Sequence, residues 1–333
     1  MKRAMDNRVI ITTVPFGNVD PTSLRLLAEA GIEAVINPKN RKLRPTEVHE
    51  VIDGFPVVIA GTEPITAEII AACPNLKAIC RVGIGLDSVD LCAARDRGII
   101  VSYTPDAPSA AVGELTIGLI IDLLRGIAIA DRGMRAGRWD RTTGARIATS
   151  TVGVLGVGRI GSLVIRHLQG GFPGVRILAH DIAPKQRLNG VEWVDKETLC
   201  RESDVITIHV PLMADTLDLI GERELVTMKP TAVLVNTARG GIVNEQDLAQ
   251  ALTRNTIRAA AIDVFTEEPY TGPLANIANA VLTCHMGSMT ADCRARMEVE
   301  ATREAIRFLR GLQLESAVPA EEFKIAERFQ RAR

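Results

Sequence analysis

Gly156-Val157-Gly158-Arg159-Ile160-Gly161 follows the apolar run 151–155 and leads into a stretch where Ile160, Leu163, Val164 and Leu168 recur at helical spacing. A strand, a glycine turn and a helix in that order need glycine for three separate reasons. One glycine makes the tight bend, one lets backbone approach a pyrophosphate, and one lets the helix pack close to the strand. Phosphates would then lie at a helix N-terminus, where unpaired N–H groups and the helix dipole favour negative charge.

A glycine pattern alone is weak, so its surroundings matter. A second strand, 175–180, closes on His180-Asp181, and Asp181 stands close to where an acid that bonds a ribose 2′-hydroxyl is expected. A carboxylate there repels a 2′-phosphate, and the following Ile182-Ala183-Pro184 brings no cation. The pattern predicts NAD rather than NADP. The competing reading is a strand-end Asp that only caps a turn.

Outward from this motif, short β-branched runs alternate with helical patterns on both sides. Strands are predicted at 9–13, 33–36, 57–60, 77–82 and 99–102, with helices at 22–30, 46–52, 66–73 and 88–97 between them. Pro21 stands near a helix start, and Gly31 and Gly98 fall just past helix ends. A long apolar helix is predicted over 110–130, then a polar stretch over 132–150. Strands resume at 151–155, 175–180, 205–209, 232–236, 259–264 and 281–283, and an amphipathic helix spans 291–309. Such alternation implies parallel pairing and doubly wound sheets. The charged tail from Glu315 onward carries no signal that we can assign.

The chain has 333 residues, which suits two domains. Its 47% hydrophobic and 24% charged residues are those of an ordinary globular protein, and a formal net charge of -1 gives no support to nucleic-acid or membrane-surface binding. The start, Met1 to Arg8, is basic but lacks an apolar signal core, and no apolar run is long enough to span a bilayer. A cytoplasmic protein is expected. Cys73, Cys80, Cys92, Cys200, Cys284 and Cys293 show no paired spacing of a zinc or redox motif, so structural thiols and no metal are expected.

The second half supplies three ionisable residues just beyond predicted strands. Arg239 lies in Asn236-Thr237-Ala238-Arg239-Gly240-Gly241, Glu268 in Asp263-Val264-Phe265-Thr266-Glu267-Glu268-Pro269, and His285 in Thr283-Cys284-His285-Met286-Gly287-Ser288. Carboxyl ends of parallel strands face a ligand crevice, so the three can converge there. Hydride transfer to a 2-oxo acid needs such a set. Arg grips a carboxylate with two prongs, His titrates near neutral pH, and a carboxylate beside the His orients its ring. Each alone has a plainer reading, a solvated charge or a structural His. His49 and His167 fall in predicted helices, while His180 and His209 end strands near the expected nucleotide.

These blocks, in this order, resemble the D-isomer-specific 2-hydroxyacid dehydrogenase family, in its short form similar to phosphoglycerate dehydrogenase and without a regulatory domain. Arg81-Val82-Gly83-Ile84-Gly85-Leu86-Asp87 is similar to that family's first-domain loop, and the similarity covers roughly residues 50–310. The resemblance implies an NAD-binding Rossmann domain, 105–289, inserted into a flavodoxin-like substrate domain, 1–104 and 290–333. It implies Arg239 for the substrate carboxylate, His285 as acid–base and Glu268 as its partner, with the Val82 and Gly83 amides sharing the carboxylate. For the cofactor it implies Gly156, Gly158, Arg159, Ile160, Gly161 and Asp181, with His209, Val210 and Pro211 at the adenosine end and Thr216 near the phosphates. Thr237, Ala238, Arg239, Asp263 and His285 would line the nicotinamide, Asp263 on its carboxamide. Homodimerisation through the cofactor domains is a further family expectation.

Two departures stand out. Cys284 replaces the Pro that usually precedes the family's catalytic His, and Ala60-Gly61 stands where phosphoglycerate dehydrogenases often carry a substrate-directed Arg. The basic segment Lys39-Asn40-Arg41-Lys42-Leu43-Arg44 offers compensation, or is a solvated loop. The implied reaction is NAD-dependent interconversion of a small 2-hydroxy acid and its 2-oxo acid, with a distal anion (3-phosphoglycerate or sulfolactate) as one form of it. Alternatives on the same fold are a formate or phosphite dehydrogenase, or a non-catalytic NAD-sensing corepressor scaffold.

Overall fold

The computed structural model describes residues 6–183 and 188–331. Pro184 and the basic start through Met5 lie outside the described residues, as do the last two residues of the tail. The chain divides into two compact units, one of residues 1–108 and 289–333, the other of residues 109–288.

The first unit alternates β1 (Arg8–Ile11), α1 (Thr22–Glu29), β2 (Glu33–Ile36), α2 (Pro45–Ile52), β3 (Val57–Ala60), α3 (Ala67–Ala72), β4 (Ala78–Arg81), α4 (Leu91–Asp96) and β5 (Ile100–Ser102). All its strand pairs are parallel, in the order β2-β1-β3-β4-β5. This is the flavodoxin-like order. β3 and β4 are buried along their whole length, as the apolar Val57-Val58-Ile59-Ala60 run requires of a strand covered on both faces.

The second unit opens with α5 (Ser109–Arg125) and α6 (Ile127–Arg135). It continues through β6 (Thr151–Leu155), α7 (Arg159–Gly171), β7 (Arg176–His180), β8 (Glu192–Trp193), α8 (Lys196–Glu202) and β9 (Val205–Ile208). It closes with α9 (Glu222–Thr227), β10 (Val233–Asn236), α10 (Glu245–Thr253), β11 (Ala259–Ile262) and β12 (Ala280–Leu282). Its seven parallel strands run β12-β11-β10-β9-β6-β7-β8, the Rossmann order with one strand added. The order reverses between β6 and β9, and that switch point is where such sheets bind ligands. Apolar clusters cover both faces. One is centred on Leu234, Ile262 and Leu248, the other on Val154, Val164 and Ile120.

The structure departs from the sequence reading in three places. The single helix predicted over 110–130 is two helices, because Gly126 adopts φ +65° and Asp122 takes the Ala128 amide, ending α5 and starting α6. Apolar periodicity continues across Gly126 and hides the break. β8, two residues at the sheet edge, is too short for the pattern to reveal. The unassigned tail forms α12 (Ala320–Arg331), after α11 (Ala291–Leu309). Phe323 and Ala326 of α12 pack on the first unit's core, and Glu327 pairs with Arg95 of α4.

Candidate active site

At the nucleotide end, Gly156 takes φ +88° and donates its amide to the His180 carbonyl at 2.8 Å. A Cβ on Gly156 would stand 2.8 Å from the His209 carbonyl, and one on Gly161 would stand 2.0 Å from the Gly156 oxygen. No side chain fits at either place. Gly158, the α7 N-cap, has no atom of the described residues within 4 Å of its would-be Cβ, which leaves room for a ligand over the helix start. Arg159 and Ile160 form the first turn of α7, with Ile160 packed on the core.

Asp181 stands just past β7. Its Oδ2 accepts the Val157 amide and its Oδ1 the Ala183 amide, both at 2.8 Å, which fixes the carboxylate beside the glycine turn. Each oxygen retains a lone pair for ribose hydroxyls. His209 follows β9. Its Nε2 meets Thr207 Oγ1 at 2.9 Å, while Nδ1 is buried without a partner among the described residues, and burial pushes the ring's pKa down to about 3. The imidazole is therefore neutral there. Val210 touches the glycine turn. Thr216 instead closes its own loop: its hydroxyl accepts the Met213 amide at 2.7 Å and lies 2.6 Å from the Pro211 carbonyl, so it shapes the turn. The cradle, the neutral His209 and the Asp181 carboxylate together fit a dinucleotide without a 2′-phosphate.

At the other end, β10, β11 and β12 are adjacent in register, Asn236 beside Ile262 and Ile262 beside Leu282. The loops bearing Arg239, Glu268 and His285 therefore leave neighbouring strands on one edge. Asn236 braces the first loop, taking the Ala238 amide at 3.0 Å and donating to the Arg239 carbonyl at 2.9 Å. A Cβ on Gly240 would lie 2.0 Å from the Phe265 carbonyl carbon, so only glycine lets this loop press on the next. Thr237 is buried against Thr116 at 3.0 Å, and Thr116 already donates to Val112, which makes Thr237 the donor.

Glu268 holds His285 with both oxygens 3.0 Å from Nδ1, and it also takes the Phe265 amide at 3.2 Å. That leaves His285 Nε2 as the nitrogen able to handle a substrate proton. His285 itself has φ +52°, a left-handed conformation rare outside glycine. Asp263 keeps it there. The His285 amide donates to the Asp263 carbonyl at 2.7 Å, and the Met286 and Gly287 amides donate to its carboxylate at 2.9 and 3.0 Å. Thr283 adds a fourth bond at 2.6 Å, and Asp263 is 1% exposed. The Asp263 carboxylate expected on the nicotinamide is thus engaged in holding the histidine loop.

In the first unit, the loop after β4 differs from expectation as well. The Val82 amide is donated to Ala60 at 2.8 Å, and the Gly83 amide to Thr104 Oγ1 at 2.9 Å. Neither is available to a substrate. Among the described residues, the amides of Ile84 and Gly85 meet no protein acceptor. Ala60 is fully buried within β3, and Arg41 of the basic segment grips Glu47 with two bonds at 2.6 and 2.8 Å.

A Rossmann cradle ending in an Arg–Glu–His edge defines a nicotinamide-dependent dehydrogenase. Residues 117–287 match the model of the D-isomer specific 2-hydroxyacid dehydrogenase, NAD binding domain. The chain belongs to that family. It is 40% identical over 276 residues to a glyoxylate reductase of Thermofilum pendens, covering 79% of this chain and 81% of that one. It is 36% identical over 304 residues to a D-3-phosphoglycerate dehydrogenase of Methanocaldococcus jannaschii, covering 89% of this chain but 57% of the relative. The crystal structure of the TT0316 protein from Thermus thermophilus superposes with a TM-score of 0.85 at 32% identity, covering 94% of this chain and all of that one. The protein is an NAD-dependent 2-hydroxyacid dehydrogenase. No helix among the described residues is long and apolar enough to cross a membrane.

Proposed function

We propose that this enzyme reduces a short 2-oxo acid of the glyoxylate type to its 2-hydroxy acid, and runs the reverse oxidation. The observation that carries the reading is the His285–Glu268 contact, with Nδ1 held by both carboxylate oxygens and Nε2 left to face substrate. When bound, NADH is the hydride source. Arg239 holds the substrate carboxylate, and His285 Nε2 delivers the proton to the oxygen that becomes the hydroxyl. Glu268 keeps the ring oriented through that transfer. Arg159, Ala238 and Pro211 are assigned to the walls of the cofactor site. Within the first unit, the Ile84 and Gly85 amides replace those of Val82 and Gly83 as the carboxylate donors of their loop.

A distal anion on the substrate receives less support, because Glu47 already neutralises Arg41 and Glu50 stands 3.9 Å from Lys39. We also assign the exposed Ile127, Met134 and Trp139, the last 76% exposed, to a homodimer contact. Six free cysteines suit a reducing cytoplasm. The test is turnover with NADH and NADPH on glyoxylate, hydroxypyruvate, pyruvate and 3-phosphohydroxypyruvate. Glyoxylate with NADH should be turned over best. Preference for the phosphorylated substrate would reverse the size assignment, and no turnover on any would leave a cofactor-sensing scaffold.

A further inference from the structure

Outside the catalytic edge, one cluster in the first unit gathers three different metal-ligating groups. His49 lies on α2, Asp53 caps its C-terminus four residues later, and Cys73 caps α3. The four-residue spacing puts the first two on one helix face. One donor atom from each residue lies within 4.8 Å of the other two. Among the described residues none of these donor atoms has a hydrogen-bond partner. His49 and Asp53 are exposed, while Cys73 is buried directly beneath them.

We infer that His49, Asp53 and Cys73 form a zinc site that clips the end of α2 to the end of α3. Imidazole nitrogen, carboxylate oxygen and thiolate sulfur are the ligand types zinc takes. Calcium and magnesium, by contrast, call for oxygen alone. Tetrahedral zinc with these ligands sets its donors about 3.5 Å apart. Reaching that from 4.8 Å takes a small inward turn of His49 and Asp53, which their exposure permits. Three protein ligands leave the fourth position to water.

Burial first, and then the Asp53 carboxylate, push the Cys73 thiol up to about 11, with Arg97 acting the other way, so binding has to displace the thiol proton. The Arg97 guanidinium is bonded to the Ile70 and Ala71 carbonyls and is not a ligand. On binding, the Sγ–H bond breaks, its proton leaves to solvent, and the thiolate pair forms the bond to the metal. The inference does not rest on the catalytic reading, and its test does not read catalysis.

The full-length protein, stripped with chelator, is titrated with cobalt(II) as a spectroscopic stand-in and then with zinc. One cobalt per chain should bind, with a thiolate charge-transfer band and the visible bands of a tetrahedral ion, and zinc should bleach both. Cys73→Ala should remove the charge-transfer band, while Cys284→Ser should leave it. His49 is exposed, so His49→Ala keeps the fold. It should weaken binding by more than the roughly 10–100-fold that follows loss of an outer-shell partner. Zinc should raise the melting temperature of wild type but not of His49→Ala. No charge-transfer band in wild type, or a band that survives in Cys73→Ala, overturns the site.

Discussion

The carboxyl edges of the two sheets are finished differently. In the five-stranded sheet the loops close on themselves. Glu63 takes the Thr12 hydroxyl and the Gly61 amide, Thr104 takes the Gly83 amide, and the buried Arg294 is bonded to Glu298, Thr13 and the Pro15 carbonyl. In the seven-stranded sheet the loops keep bonding capacity in reserve. Among the described residues His209 Nδ1 is buried without a partner, and the half-buried His285 is held at Nδ1, in a left-handed backbone that costs roughly 1–3 kcal/mol. The same parallel architecture thus serves two ends. One edge is braced mainly by its own side chains, with the Ile84 and Gly85 amides left open, while the other sets out the ionisable residues of the candidate site.

If that contrast holds, changes at the two edges should separate activity from stability. His285→Ala should lower turnover on glyoxylate by roughly 10²–10⁴-fold, the usual worth of a positioned acid–base group, with little change in melting temperature. Glu268→Gln should give a smaller loss in kcat. Glu298→Ala should do the reverse. It leaves Arg294 buried without its counter-charge and with two of its three hydrogen bonds, which costs roughly 3–5 kcal/mol in urea unfolding, while the folded fraction keeps its turnover. A Glu298→Ala enzyme that is fully stable but inactive would erase the distinction.

A smaller effect concerns His209. Its folded-state value of about 3 lies below the ordinary one, so the unfolded chain takes up a proton first as pH falls. Its contribution to stability is complete above about pH 6.5 and declines from there toward about pH 3. Between pH 6 and pH 4 the loss should be on the order of 2–3 kcal/mol, read by urea unfolding at several pH values. His209→Gln should flatten that part of the profile whatever it does to stability at neutral pH. An unchanged slope would show that the ring reaches solvent. Smallest in the series, Asp181→Ala should cost roughly 1.5–3 kcal/mol in NADH binding and narrow the preference over NADPH. Equal loss with both cofactors would make Asp181 only a brace for the Val157 amide.

What can be read from sequence follows the same divide. The glycine turn, Asp181 and the Arg239, Glu268 and His285 blocks need particular residue types at short spacing, so they show in the chain itself. Features that depend on a distant partner do not show. Which amides after β4 stay open is decided by Ala60 on the next strand and by Thr104 some twenty residues on. The partner of Thr237 is Thr116, in a helix more than a hundred residues earlier. The resemblance puts Asp263 on the nicotinamide carboxamide, and only the fold of the histidine loop shows what else its carboxylate holds. At Gly126 the residue type points to a break, since a glycine inside an apolar helix is where one is cheapest, but the unbroken apolar periodicity masks it.

The hold that Asp263 has on residues 285–287 also bears on timescale. Three successive amides outside any helix or strand donate to one buried residue at the end of β11. Such a segment cannot fray one bond at a time. It opens only when β11 loosens from its neighbours, so those amides should resist hydrogen exchange as the core does, despite lying in a loop. His285 therefore belongs, dynamically, to the sheet.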